Sequence, residues 1–67
     1  GDSLFAEYPA LPLRSAGQEK RVRNGGAITD SALPDGTYRV YGRNGDFLCL
    51  SRAERGTLTS IKNFFGA

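Results

Sequence analysis

The segment from Thr37 to Ser51 restricts this chain's fold more than any other. Thr37-Tyr38-Arg39-Val40-Tyr41 is rich in β-branched and aromatic residues, Arg43-Asn44-Gly45-Asp46 contains an Asn-Gly pair, and Phe47-Leu48-Cys49-Leu50-Ser51 returns. Strand-forming runs on either side of Asn-Gly predict a β-hairpin with a two-residue type I′ turn. With Asn44 and Gly45 as the loop, Arg43 faces Asp46, Tyr41 faces Leu48, Val40 faces Cys49 and Arg39 faces Leu50. One face then presents Tyr38, Val40, Phe47 and Cys49, and the other Arg39, Tyr41, Leu48 and Leu50. Both faces carry apolar residues. Such a hairpin is covered at least partly on both sides, as in a small curled barrel with a helix or partner domain outside it. Cys49 reads as a small core residue, since no neighbouring cation or histidine would activate its thiol.

The flanking segments extend this pattern. A second reversal is expected at Ala53-Glu54-Arg55-Gly56, followed by the alternating strand Thr57-Leu58-Thr59-Ser60-Ile61. Phe64 and Phe65 either close the core or offer a ring for stacking on a base. Upstream, Tyr8-Pro9-Ala10-Leu11-Pro12-Leu13 is confined to an extended path and suits only an edge strand, because proline lacks the N–H of a central ladder. Ser15 and Gln18 have the spacing of a capping box, and Gln18-Glu19-Lys20-Arg21 favours helix. A helix over Ala16 to Arg23 therefore follows, stopped by Asn24-Gly25-Gly26. Its apolar content is essentially Ala16 and Val22, so it must dock onto strands to be stable. Ala27-Ile28-Thr29 reads as a short strand and Leu33-Pro34-Asp35-Gly36 as a turn. The fold class expected is mainly β with one short helix, an α+β arrangement ending in an antiparallel meander.

Size and composition exclude most chemistry. Sixty-seven residues allow one domain with one modest core. With no histidine and one cysteine, a Ser-His-Asp triad, a Cys-His pair, a histidine-rich metal site and an internal disulfide are all ruled out within the chain. The lone thiol favours a reducing setting, so the location expected is cytoplasmic. No run approaches the roughly 18 apolar residues of a membrane-spanning helix. The carboxylates form no close pair in an apolar setting, and Asp35 and Asp46 lie in turns. Asn24-Gly25-Gly26 follows a helix instead of leading into one, so it is not a phosphate-cradling loop. No catalytic, metal or cofactor site is expected, which leaves binding.

Net charge is +2, and seven of the nine cations are arginine, whose planar fork suits phosphate. From Pro34 onward five cations face three carboxylates, whereas the first 33 residues carry four of each sign. Lys20, Arg21 and Arg23 occupy the last turn of the expected helix. They either complement the negative end of its dipole or form a phosphate-facing edge, and the residues alone leave both readings open.

The series Lys20-Arg21-Val22-Arg23-Asn24-Gly25, Gly36 to Tyr41, Asn44 to Leu50, Gly56-Thr57-Leu58, Lys62 and Phe64-Phe65 resembles the C-terminal domain of bacterial tRNA pseudouridine synthase B, from about Leu11 to Phe65. The resemblance implies a PUA-like fold, a small pseudo-barrel with a helix at its side. It implies residues 1–8 as a lead-in from a catalytic domain and residues 9–67 as the accessory domain. That family isomerises uridine 55 of the tRNA T loop to pseudouridine with an aspartate of the large domain, and no aspartate here matches that motif. The implied role is to hold tRNA by its T arm and acceptor region through phosphate contacts, as a monomeric domain beside its catalytic partner. Lys20, Arg21, Arg23 and Arg39 are the phosphate contacts expected first, with Arg14 and Lys62 behind them. The alternative is a module that docks on the catalytic domain or another protein with little RNA contact.

Overall fold

A computed structural model describes residues 7–63, and for Asn63 the backbone alone. The elements run β1 (Ala10–Pro12), α1 (Ala16–Arg23), β2 (Ile28–Thr29), β3 (Gly36–Tyr41), β4 (Phe47–Glu54) and β5 (Thr57–Asn63). They build one five-stranded sheet in the order β1-β3-β4-β5-β2. The sheet curls into a half-barrel, the small pseudo-barrel expected. β3, β4 and β5 form the expected antiparallel meander. β1 lies at one edge, where Pro12 is tolerated, and pairs parallel with β3. β2 closes the other edge against β5.

Local chemistry explains why α1 starts and stops where it does. The Ser15 hydroxyl accepts the Gln18 N–H at 3.1 Å, and Gln18 Oε1 reaches back to the Arg14 N–H at 3.4 Å. At the other end Gly25 N–H bonds the Val22 carbonyl and Gly26 N–H bonds the Arg21 carbonyl, with Gly25 at φ 80°. These two bonds form a Schellman cap and satisfy carbonyls that the helix itself leaves open. Val22, 2% exposed, is the helix's buried anchor. Burying such a side chain contributes about 1.5–3 kcal/mol, which so short a helix needs.

The core gathers Leu13, Val22, Ile28, Tyr38, Val40, Leu48, Cys49, Ala53 and Leu58, with Leu11 and Leu33 packed against it. Cys49 is fully buried, its sulfur 3.2 Å from the Ser51 hydroxyl. The Tyr38 hydroxyl donates to the Pro34 carbonyl at 2.7 Å, so its ring is buried without an unpaired polar end.

The hairpin departs from the expected register at its tip. Val40 pairs with Cys49 and Arg39 with Leu50 as expected, but Tyr41 pairs with Phe47, not Leu48. The loop holds three residues instead of two. Gly45 N–H bonds the Gly42 carbonyl, Gly42 N–H bonds the Asp46 carbonyl, and only Gly45 of the loop takes positive φ. Arg43 therefore lies in the loop and does not face Asp46. A turn around Arg43 and Asn44 followed by a left-handed glycine is the common three-residue solution. Leu48 becomes the extra residue of a bulge, and a one-residue shift exchanges faces. Leu48 enters the core with Val40 and Cys49, while the Phe47 ring lies 5.4 Å from Tyr41.

Two other turns differ in detail. The hydrogen-bonded turn before β3 is Asp30–Leu33, closed by Leu33 N–H on the Asp30 carbonyl, with Asp30 Oδ1 accepting from Ala32. The side chain of Asp30 makes this earlier turn an Asx turn, and the chain bends again at Asp35. The β4–β5 reversal is a two-residue loop of Arg55 and Gly56, both at positive φ, between the paired Glu54 and Thr57. Arg55 N–H donates to Asp35 Oδ1 at 2.9 Å, which gives Asp35 its structural role. The expectation for Phe64 and Phe65 and most of the 1–8 lead-in lie outside the described residues.

Candidate nucleic-acid interface

The helix sorts its cations onto different faces. Gly17, Lys20, Arg21 and Asn24 are spaced by three and four, so they share one face, and with Gly26 they line a shallow depression. Val22 points the other way into the core. Arg21 Nε donates to the Ala27 carbonyl at 2.6 Å, which fixes the guanidinium across the helix exit. The Lys20 side chain makes no hydrogen bond or ion pair among the described residues. Both are exposed.

Arg23 lies one turn from Glu19, and its Nε donates to Glu19 Oε2 at 3.2 Å. An (i, i+4) pair with the glutamate nearer the N-terminus supports the helix. The three helix cations thus fall into two parts, Lys20 and Arg21 facing outward and Arg23 turned toward Glu19. Glu19 also accepts the backbone N–H of Arg43 at 2.9 Å, from the β3–β4 loop. That bond is the main cause holding the Glu19 carboxyl below its ordinary pKa, aided by the hydrogen bond from Arg23 and the charges of both arginines and opposed by desolvation.

The strand cations are elsewhere. Arg39 alternates with the buried Tyr38 and Val40, so it projects from the sheet face away from the core. Its Nε donates to the Tyr8 carbonyl at 2.8 Å, and its Nη1 donates to the Tyr41 hydroxyl at 3.0 Å. Its guanidinium carbon lies 5.8 Å from the Tyr41 ring centroid. Arg39 thereby ties the approach to β1 onto β3. Leu50 pairs with Arg39 on one side and Lys62 on the other, which puts Lys62 on the same face. Arg14 stands just before the helix cap, beside a groove of mixed polar and apolar lining between β1, β2 and Leu33. The six cations read from the sequence therefore occupy three places: the α1 surface, the outer sheet face and the rim of the groove.

Two cations that the sequence reading passed over join these places. Arg52, two residues from Leu50 along β4, is exposed on the same outer face. Arg43 approaches Glu19 from the hairpin loop, Nε to Oε1 at 3.6 Å. Alternation along β4 would have found Arg52. Nothing local would have found Arg43, because its partner is 24 residues away. Among the described residues no group of three or more metal-capable side chains forms and no helix is long and apolar enough to cross a membrane.

What this arrangement can do chemically is present positive charge and hydrogen-bond donors to a polyanion. No curated protein matches the chain, and no solved structure does. Residues 9–61 match the family model described as pseudouridine synthase II TruB, C-terminal. The match covers β1 through most of β5, and with it every basic place described above except Lys62. The chain belongs to the family of TruB pseudouridine synthase C-terminal domains, the accessory domain of an isomerase that acts on tRNA.

Proposed function

We propose that this domain binds tRNA through the α1 surface and so helps a catalytic domain, joined through residues 1–8, to reach uridine 55 in the T loop. The observation that carries this reading is the shared outward face of Lys20 and Arg21, with the Arg21 guanidinium already fixed by the Ala27 carbonyl. Fixed donors on a helix suit the phosphates of the T arm and acceptor region, and phosphate contacts position an RNA without reading its sequence. Arg23 extends that surface. Arg39, Lys62 and Arg14 are secondary contacts on this reading, because they lie on other faces. The setting is cytoplasmic, where tRNA is modified.

Titration of the chain with tRNA, followed by backbone amide shifts, tests the proposal. The largest shifts are expected over residues 17–26. Replacing Lys20, Arg21 and Arg23 jointly by alanine lowers the slope of log K against log salt by roughly 2–3, about 0.9 for each phosphate that the protein no longer neutralises. An unchanged affinity and slope in a variant with a native amide spectrum would sink the proposal. A second reading, docking on a protein partner, draws on Ile61, which is 58% exposed on the outer sheet. It predicts shifts over β5 and little response to salt.

A further inference from the structure

We propose that Arg43 is a phosphate contact of the same interface and that Glu19 is the residue that positions it. The inference rests on the RNA-binding reading and adds a loop to a surface that otherwise belongs to one helix. Glu19 grips the loop by its backbone, through the Arg43 N–H, and stands beside the Arg43 guanidinium on one side and the Arg23 guanidinium on the other. The Glu19 side chain is 17% exposed, while those of Arg23 and Arg43 are 39% and 55% exposed. One largely covered carboxylate thus stands between two more exposed arginine side chains, leaving one net positive charge.

The fit around the carboxylate is close. A Cβ on Gly42 would stand 3.2 Å from Glu19 Oε1 and 3.3 Å from its Cδ, so glycine at that position lets the carboxylate reach the loop. Exposed ion pairs add little to stability, so the pairings themselves do not account for this arrangement. What they do is set two arginine side chains on either side of one carboxylate, across the gap between helix and hairpin. A fork held in place before binding forfeits less entropy on meeting a phosphate, and arginine is the side chain best shaped for that contact. Lys20 is three residues from Arg23, so the row Lys20, Arg23, Arg43 crosses from the helix to the loop.

The probe is a T-arm stem-loop RNA, titrated into the full chain across a range of salt. Arg43→Ala keeps the backbone N–H that Glu19 accepts, so the fold is undisturbed and only the guanidinium is removed. It lowers the salt slope by about 0.9 and weakens binding about eightfold at 0.1 M salt. Glu19→Gln preserves an acceptor for the loop, whereas Glu19→Ala removes it; both remove a negative charge, so each is compared within its own background. The weakening caused by Arg43→Ala persists in the E19Q background and shrinks to about twofold or less in the E19A background, because a loosened loop no longer presents the fork. An equal weakening in the E19A background overturns the positioning role. If Arg43→Ala binds like wild type while Lys20→Ala lowers the slope, Arg43 is not a contact and the helix interface stands. If neither substitution lowers the slope, the interface reading itself fails.

Discussion

Gly25 and Gly56 have nearly the same φ and opposite surroundings, which allows the cost of close packing to be separated from the strain of a positive φ. Their φ angles are 80° and 79°. A Cβ on Gly25 meets nothing within 4 Å, whereas one on Gly56 would stand 3.0 Å from Ser31 Cα and 3.3 Å from the Asp30 carbonyl oxygen. Both contacts are backbone, and the Gly56 carbonyl is itself bonded by the Asp30 N–H at 2.7 Å, so the neighbour cannot swing away cheaply. Gly25→Ala costs only the left-handed penalty of about 1–2 kcal/mol. Gly56→Ala adds an overpacking cost of about 1–3 kcal/mol, for a total of about 2–5. A chain of 67 residues has roughly 3–10 kcal/mol of stability to lose. Urea unfolding followed by far-ultraviolet circular dichroism reads both variants. With a slope near 1 kcal/mol/M, the Gly56 variant has a midpoint about 1–3 M below the Gly25 variant. Coincident midpoints would refute the argument from close approach.

Two further outcomes follow from the packing and the charges. The Glu19 carboxyl has a depressed pKa in the folded state, so its contribution is complete above the ordinary value of 4.5 and is lost as pH falls through the lower folded value. The Arg43 amide shift should inflect below the ordinary glutamate range and lose that inflection in E19Q; a midpoint above that range contradicts the assignment. Leu48→Ala, at 1% exposure, lowers stability by about 2–5 kcal/mol, whereas Ile61→Ala, at 58% exposure, changes it by about 0.5 kcal/mol or less in urea unfolding.

The elements legible in the sequence are those whose cause lies nearby. Ser15 and Gln18 marked the helix start, Gly25 its end, and the alternation around Val40 and Leu58 marked strands. What escaped depended on distant partners. The hairpin tip takes three residues where Asn44-Gly45 suggested two, and the loop is held by Glu19 from 24 residues away. That difference exchanged the faces of Phe47 and Leu48. The candidate site shows the same division. Lys20 and Arg21 were readable from helix spacing, but the separation of Arg39 and Lys62 from them required the sheet's curl and order. The ties of Arg39 to Tyr8 and of Arg21 to Ala27 join charged groups to backbone carbonyls, and no pattern of residue types announces such bonds.

Pro12 of β1 bears on self-association. Arg39 N–H bonds the Pro9 carbonyl and Leu13 N–H bonds the Tyr41 carbonyl, so alternate residues of this strand direct their amide groups toward β3. Ala10 and Pro12, between them, direct theirs outward. Pro12 has no N–H, and the exposed rim of β1 is left with one donor, at Ala10. The opposite rim, β2, is only two residues long. Neither offers the long row of unpaired amides on which a foreign strand can grow. Among the described residues, the chemistry of its rims makes the sheet a poor template for a further strand.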